Sequence, residues 1–279
     1  MFELAAPSAL QWLIGVEIAR YRNEAGLSLT QLAETTGIGR PKLGHMETGR
    51  SVQYPADIRK VLKACQVDKE HIDRIVQLTT RVDEASWLGA WSDVMSDWLR
   101  TFAGLEALAQ REFVFEPILL PGLLQTEDYA RELTNAAIRV RPDHAERLVE
   151  FRLQRSRQLF KNNPLQLHAI FNEQALRLRV GSREVLNDQY RHLLKMAELP
   201  NITLQVVRAE AGPHSAVNGQ FVLLDFRDAR PIVYVELQDA AVFVDDSVRV
   251  RTYTLSTQSL ERVALSPGES ATLIESLIT

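Results

Sequence analysis

The chain has 279 residues, 46% hydrophobic and 24% charged, with a net charge of −4. These are ordinary values for a globular chain with room for one large domain or two smaller ones. No apolar run reaches the roughly 20 residues that span a bilayer. MFELAAPSALQWLIG, at the start, lacks the basic segment of a secretory signal. A single cysteine, Cys65, excludes an intrachain disulfide and a cysteine-based zinc cluster. The expectation is a cytoplasmic protein.

Charge is unevenly placed. Residues 12–80 carry ten Lys and Arg against eight Asp and Glu, a net of +2, which leaves −6 for the remainder. Arg40, Lys42 and Arg50 cluster. One segment is thus suited to face phosphate and another is not.

Residues 13–25, LIGVEIARYRNEA, have helical apolar spacing and end at Gly26. Ser28 and Gln31 then have capping-box spacing, so a second, short helix starts here and stops at Gly37. Leu32 and Ala33 are expected to face inward. Ala33 provides the small residue for a close helix crossing, Gly37 the left-handed turn, and Ile38 a plug. If Gly39 is the N-cap, Pro41 falls in the first turn of a third helix over about 40–48, where a missing N–H costs no hydrogen bond. Leu43 and Met46 face the core, and Gly49 ends the helix. Gly44, inside that helix, is read as room for DNA backbone or a neighbouring helix. The outward residues are Arg40, Pro41, Lys42, His45 and Thr48.

That arrangement is a helix-turn-helix whose third helix would enter the major groove of double-stranded DNA by its N-terminal part. The candidate DNA-binding residues are Ser28, Thr30, Arg40, Pro41, Lys42, His45, Thr48 and Arg50. Arg40 can contact a guanine edge with two hydrogen bonds, whereas Lys42, Thr48 and Arg50 suit phosphates. The competing reading is a solvated basic helix in a bundle with another partner. On Leu27-Ser28, Leu32-Ala33, Gly37-Ile38, Leu43, Met46-Glu47 and Gly49, residues 13–78 resemble the XRE family of phage-repressor-like regulators. The resemblance implies a five-helix bundle, with its last helices at 55–64 and 68–80. Leu29 and Arg40 stand where that family often has Gln. The first change would weaken a phosphate clamp, and the second would shift base preference toward guanine. Cys65, on an apolar face, reads as a core residue.

Trp87, Trp91, Val94 and Trp98 have helical spacing within 81–110, which predicts a linking helix. The stripe either packs on the second domain or walls a ligand pocket or partner surface; Trp91 and Trp98 are the candidates for the second role. FVFEPILL reads as extended and Pro121-Gly122 as a turn, followed by a helix over LLQTEDYARELTNAA.

Glu116-Pro117, 120–126 (LPGLLQT), Tyr129-Ala130, and later His214, Gly219, Phe221, Leu224, Val233-Tyr234, Glu236 and Ser270 resemble the second domain of WhiJ-like, antitoxin-like actinobacterial regulators. That resemblance covers about 85–279. It implies a dimer whose gene often neighbours that of a small partner protein, and a second domain usually classed as of unknown function. Around Arg155-Ser156 the family more often has Arg-Gln.

Helices are predicted at 142–160, 172–178, 183–199, 247–264 and 267–278, and strands at 165–171, 202–208, 219–226, 231–237 and 241–245. The predicted class is α+β: a five-helix bundle over 1–80, a linking helix over 81–110, and a larger domain over 111–279 with an antiparallel sheet and helices on one face.

No HExxH, GxxxxGK[ST] or GxSxG occurs, and no histidines fall at i,i+4. No metal, cofactor or enzymatic activity is expected. Glu106, Glu116, Glu173 and Glu236 sit among apolar residues, and their expected partners are Arg152 or Arg155. The loop 211–221 is either a plain hairpin connection or the place where His214 and Ser215 line a pocket for a small molecule or a partner's tip. The function expected is a homodimeric, sequence-specific transcriptional regulator without a membrane segment, its second domain sensing a small-molecule effector or small partner protein. The alternatives are an antitoxin-like protein that neutralises a small cognate partner, and an interaction scaffold.

Overall fold

A computed structural model describes residues 8–80, 86–138 and 140–279. The chain divides into two compact units. The first holds Met1–Ser92, Ser96–Ala109 and Asp225–Pro231; the second holds Asp93–Met95, Gln110–Leu224 and Ile232–Thr279.

In the first unit, α1 (Ala9–Glu24), α2 (Leu29–Thr36), α3 (Arg40–Glu47), α4 (Pro55–Ala64) and α5 (Lys69–Leu78) form the expected five helices. Their ends follow from local chemistry. Ser8 with Gln11, and Ser28 with Gln31, make reciprocal capping boxes at α1 and α2. Gly37 closes α2 at φ 65°, and Gly39 caps α3 with the proline in its first turn. Nearly every face of α1 is buried, from Leu10 and Leu13 round to Glu17 and Tyr21. It is therefore the central helix of the unit.

Two features differ from the expectation. Ala33 is only partly buried; the tightest approach lies between α1 and the end of α3. A Cβ on Gly15 would stand 2.5 Å from the Glu47 carbonyl oxygen, and one on Gly49, at φ 70°, would stand 2.9 Å from Trp12 N. The turn after α2 is held by Thr36, whose hydroxyl donates to Leu32 O (2.6 Å) and accepts from Ile38 N (3.3 Å). Also, no single helix spans 81–110. Residues 81–85 lie outside the described residues; beyond them run a 3₁₀ helix, Ser86–Trp91, and α6, Asp97–Leu108, capped by Ser96. The 3₁₀ segment and the turn before Ser96 break the tryptophan periodicity. The helix α6 packs on α1, so the first unit runs past residue 80.

The segment Asp225–Pro231 completes that unit. Glu17, 1% exposed, accepts from Arg20 Nη1 (3.2 Å) and from the Arg230 backbone N–H (2.9 Å). The Arg230 guanidinium pairs with Glu24 and lies 4.5 Å over the Tyr21 ring. A buried carboxylate needs such partners.

The second unit is built on β1 (Arg111–Glu116), β2 (Gln166–Asn172), β3 (Ile202–Val207), β4 (Phe221–Asp225), β5 (Ile232–Glu236) and β6 (Ala241–Val244). Its helices are α7 (Glu127–Ala136), α8 (Ala145–Ser156), α9 (Glu173–Arg177), α10 (Arg183–Ala197), α11 (Ser247–Val263) and α12 (Pro267–Glu275). The α+β class holds, but the sheet is mixed. The order is β3-β2-β1-β4-β5-β6, with β1, β2 and β3 parallel and β4, β5 and β6 antiparallel. Connection length explains the split. The links β1–β2 and β2–β3 contain helices and cross over, whereas β4–β5 and β5–β6 are short and turn back. Consecutive buried residues in β1 (Phe113 to Phe115) and β2 (Ala169 to Phe171) point to opposite faces. Both faces of the parallel half are therefore covered, which a sheet with helices on one face would not require. One cluster joins Phe113, Phe115, Ile170, Phe221 and Val233 to Val250 and Leu260 of α11.

The contact at Gly15 leaves no space for a methyl group. Gly15→Ala is expected to lower the stability of the first unit by about 1–3 kcal/mol. At Gly44 an added Cβ meets nothing closer than Leu29 Cδ1 at 4.0 Å, so Gly44→Ala should raise stability by about 1 kcal/mol through helix propensity. Denaturant unfolding of both variants reads the two opposite signs, and equal effects would contradict this account of the α1–α3 contact.

Candidate functional site

The helix α3 is anchored by Leu43 and Met46, both 0% exposed. Its position is set by three ties. The Gln53 side-chain amide donates to Gln11 O (2.8 Å) and Met46 O (2.7 Å). Arg22 makes a two-pronged pair with Glu47 (2.5 and 2.9 Å) and donates to Leu27 O. Gly15 and Gly49 let the backbones meet. With the inward side fixed, Arg40, Pro41, Lys42, His45, Thr48 and Arg50 lie on the outward side, as do Ser28 and Thr30 of the preceding element.

These residues are not equally available. Lys42 Nζ pairs with Asp57 at 2.7 Å and lies 6.0 Å from the Tyr54 ring. The Thr48 hydroxyl donates to Gly44 O at 3.0 Å, and the Ser28 hydroxyl belongs to the α2 cap. Among the described residues, no hydrogen bond or ion pair engages the side chains of Arg40, His45 or Arg50. Two neighbours were not evident from the sequence. Lys60 Nζ lies 3.9 Å from where a Gly37 Cβ would be, beside the turn, and Tyr54 is exposed next to Lys42. Both come from around α4 and reach this surface only through the fold. Cys65 is buried, and burial pushes its thiol pKa up, as a core thiol requires.

A second polar region lies in the other unit, at the carboxyl ends of the parallel strands. The strand β1 ends at Glu116, β2 at Asn172 followed by Glu173, and β3 at Val207 followed by Arg208. A cleft of about 410 Å³ is lined there by Asn172, Glu173, Arg177, Arg208, Gly212 and His214, among others. Open sheets gather ligands at this edge. The His214 ring packs edge-on against Phe115 (5.4 Å), and its Nδ1 accepts from Ala216 N (3.3 Å). Burial lowers its pKa. Ser215 does not line the cleft; it is exposed and donates to Ser256 O. Trp91 and Trp98 are half-buried, and neither is among the residues that line this cleft.

At the same edge, Glu116 interacts with Arg152 and Glu236, and Arg152 with Arg155. A Cβ on Gly122 would lie 3.8 and 3.9 Å from the Nη1 atoms of Arg152 and Arg155. Two guanidinium groups thus lie close to the Pro-Gly turn. Desolvation, reinforced by Glu236, raises the Glu116 pKa to about 8. Glu173 has different partners from those expected, Arg177 (2.6 Å) and Arg208 (3.5 Å). Among the described residues no group of three or more His, Cys, Asp or Glu could hold a metal ion, and no helix is long and apolar enough to cross a membrane.

A carboxyl with a raised folded-state pKa holds its proton while the unfolded chain releases one. Stability therefore falls as pH rises from about 4.5 toward 8. Glu116→Gln removes that ionisation. Its stability relative to the parent chain should rise across this window by on the order of a few kcal/mol. Unfolding free energies measured at several pH values check this, and a pH-independent difference would contradict it.

Comparison with known proteins finds two families along the chain. Residues 13–75 match a family described as a helix-turn-helix domain, and residues 99–276 match a domain of unknown function (DUF5753). A search of curated proteins and one of solved structures found no match. The helix-turn-helix match supports DNA binding and a regulator-like protein. The second match covers more than half of the chain, and the protein belongs to the DUF5753 family, with a helix-turn-helix domain preceding that region.

Proposed function

We propose that the protein is a homodimeric, sequence-specific transcriptional regulator of the XRE type, from the WhiJ-like, antitoxin-like group of actinobacterial regulators. It acts in the cytoplasm on double-stranded DNA. The observation that carries this reading is the state of α3. Its inward residues are fully buried and its position is set by Gln53 and the Arg22–Glu47 pair. Its outward Arg40 and His45 side chains have no partner among the described residues. Arg40, in the first turn, suits a guanine edge. Arg50 and Lys60 suit phosphates, as does Lys42 if it leaves Asp57. Ser28 and Thr48 contribute mainly by holding helix geometry.

The dimer reading draws on the second unit. Val248 and Leu255, seven residues apart on α11, are exposed, and β6 leaves one edge of the sheet open. The same exposed residues support a second reading, in which that face holds a small cognate partner as in an antitoxin. The signal-receiving role of the second unit, for an effector or partner protein, draws on the cleft beside His214.

The test is selection of bound duplexes from a random library by the full-length protein and by Arg40→Ala. A palindromic motif is expected, and the variant should bind it about tenfold or more weakly, with relaxed preference at one position of each half-site. Lys42→Ala should weaken binding less, and evenly across sequences. Enrichment of no motif, with only salt-sensitive binding, would overturn the reading.

A further inference from the structure

The cleft at the carboxyl ends of β2 and β3 has the chemistry of a binding site for a particular class of ligand. Glu173 is the central residue. Its side chain is 10% exposed, and it faces two arginines, Arg177 one turn later (2.9 Å from Nε and 2.6 Å from Nη2) and Arg208 after β3 (Nε at 3.5 Å). Those arginines are 56% and 48% exposed. Arg208 also gives Nη2 to Glu210. The Nη1 groups of both have no hydrogen-bond partner among the described residues. A buried carboxylate therefore holds two guanidinium groups at the mouth of a cleft, with donors to spare.

Other groups in the lining offer acceptors. Asn172 Oδ1 is buried without a hydrogen-bond partner, an acceptor that a ligand hydroxyl can satisfy. Glu173 Oε2 has only the long approach of Arg208. His214, with Nδ1 accepting from the backbone, has Nε2–H as its donor. Gly212, at φ 72°, stands in open space: a Cβ added there would have nothing within 4 Å, which keeps the rim open. Two guanidinium groups and two acceptor-bearing side chains, Asn172 and Glu173, thus line one space of about 410 Å³, within the range of small-ligand sites.

We propose that this cleft binds a small sugar phosphate or nucleotide, its phosphate held by Arg177 and Arg208 and its hydroxyls by Glu173 and Asn172. Guanidinium forks match phosphate oxygens in geometry and charge. A carboxylate at the end of a parallel strand suits ribose hydroxyls. The inference rests on the reading of the second unit as a receiver of signals and gives that signal a chemical class.

Calorimetric titration of the full-length chain with ribose 5-phosphate, AMP, ribose and inorganic phosphate tests it. Ribose 5-phosphate or AMP should bind, with phosphate weaker by about tenfold or more and ribose weaker still. Arg177→Ala with Arg208→Ala should weaken binding at least about tenfold. Arg177→Lys with Arg208→Lys, which keeps the charge but not the fork, should also weaken it, and guards against misfolding in the alanine pair. Glu173→Gln should weaken it by loosening both arginines. Binding of none of the four compounds overturns the proposal, and so does binding unchanged in both arginine pairs. DNA affinity with and without the bound compound is read separately. If binding follows the arginines but DNA affinity does not move, the cleft stands and the sensing role falls. If no compound binds but a small partner protein shifts DNA affinity, the cleft assignment falls and the sensing role stands.

Discussion

The first unit depends on the meeting of two backbones. α1 and the C-terminal end of α3 approach so closely that neither Gly15 nor Gly49 has room for a side chain. Contact at that range leaves polar backbone groups beside one another with little space for water, and they need specific partners. Gln53 supplies them by donating to a carbonyl on each helix. Arg22 and Glu47 close the far end of the same contact, and Arg22 also holds the α1–α2 connection through Leu27 O. The orientation of α3, and with it every outward side chain, follows from these few residues. Leu43 and Met46 decide which side faces in; the glycines and Gln53 decide where the helix lies.

The second unit depends on a different constraint, the need for parallel strands to be linked by crossovers. The three parallel strands deliver their last residues to one edge, so charged groups from distant parts of the chain meet there: Glu116 from β1, Glu173 after β2, Arg208 after β3. The antiparallel half is linked by short turns and shows a more exposed outer strand, β6. The mixed sheet thus divides the unit into a covered half that gathers polar groups at its edge and an open half with an unpaired border.

What could be read from the sequence follows the range of the interactions. Capping boxes at Ser28, the proline-bearing first turn of α3 and the glycine turns at Gly37 and Gly49 are set by residues within a few positions, and all were legible. The strand positions were legible from hydrophobic runs and turn residues. Strand direction was not, because parallel pairing depends on how helices return the chain. The break between Trp91 and Trp98 was missed because helical spacing of the tryptophans outweighed Ser96, which caps α6. Thr36 and Gln53 carried no signal of their own, being polar residues whose partners are backbone atoms. The pairing of Lys42 with Asp57 spans 15 residues and joins two helices, so its outward position was evident but its engagement was not. Glu116 was correctly set beside arginines, whereas Glu173 found others, because Arg208 approaches only when β3 lies beside β2.

Two Arg–Glu arrangements in the chain show how a structural ion pair differs from one that leaves binding capacity. In the first unit Arg22 and Glu47 are both nearly buried, 14% and 10% exposed, and satisfy each other with two parallel hydrogen bonds. Arg22 Nη1 donates to Asn23 and Leu27 O. Four of the five Arg22 N–H donors are engaged within the fold, and the desolvation of the pair is offset internally. In the second unit one buried carboxylate is shared by two arginines that are about half exposed. One negative charge cannot saturate the roughly ten donors of two guanidinium groups, and Glu210 takes only one of the rest. Glu173 and Glu210 together balance the charge of the two arginines, but they leave the Nη1 donors of both open. Loss of freedom in a long cationic side chain is a cost that a ligand would otherwise meet on binding. Here the folded chain has met it in advance, and that ordering, more than the charge alone, separates this cleft from the many exposed ion pairs elsewhere on the surface.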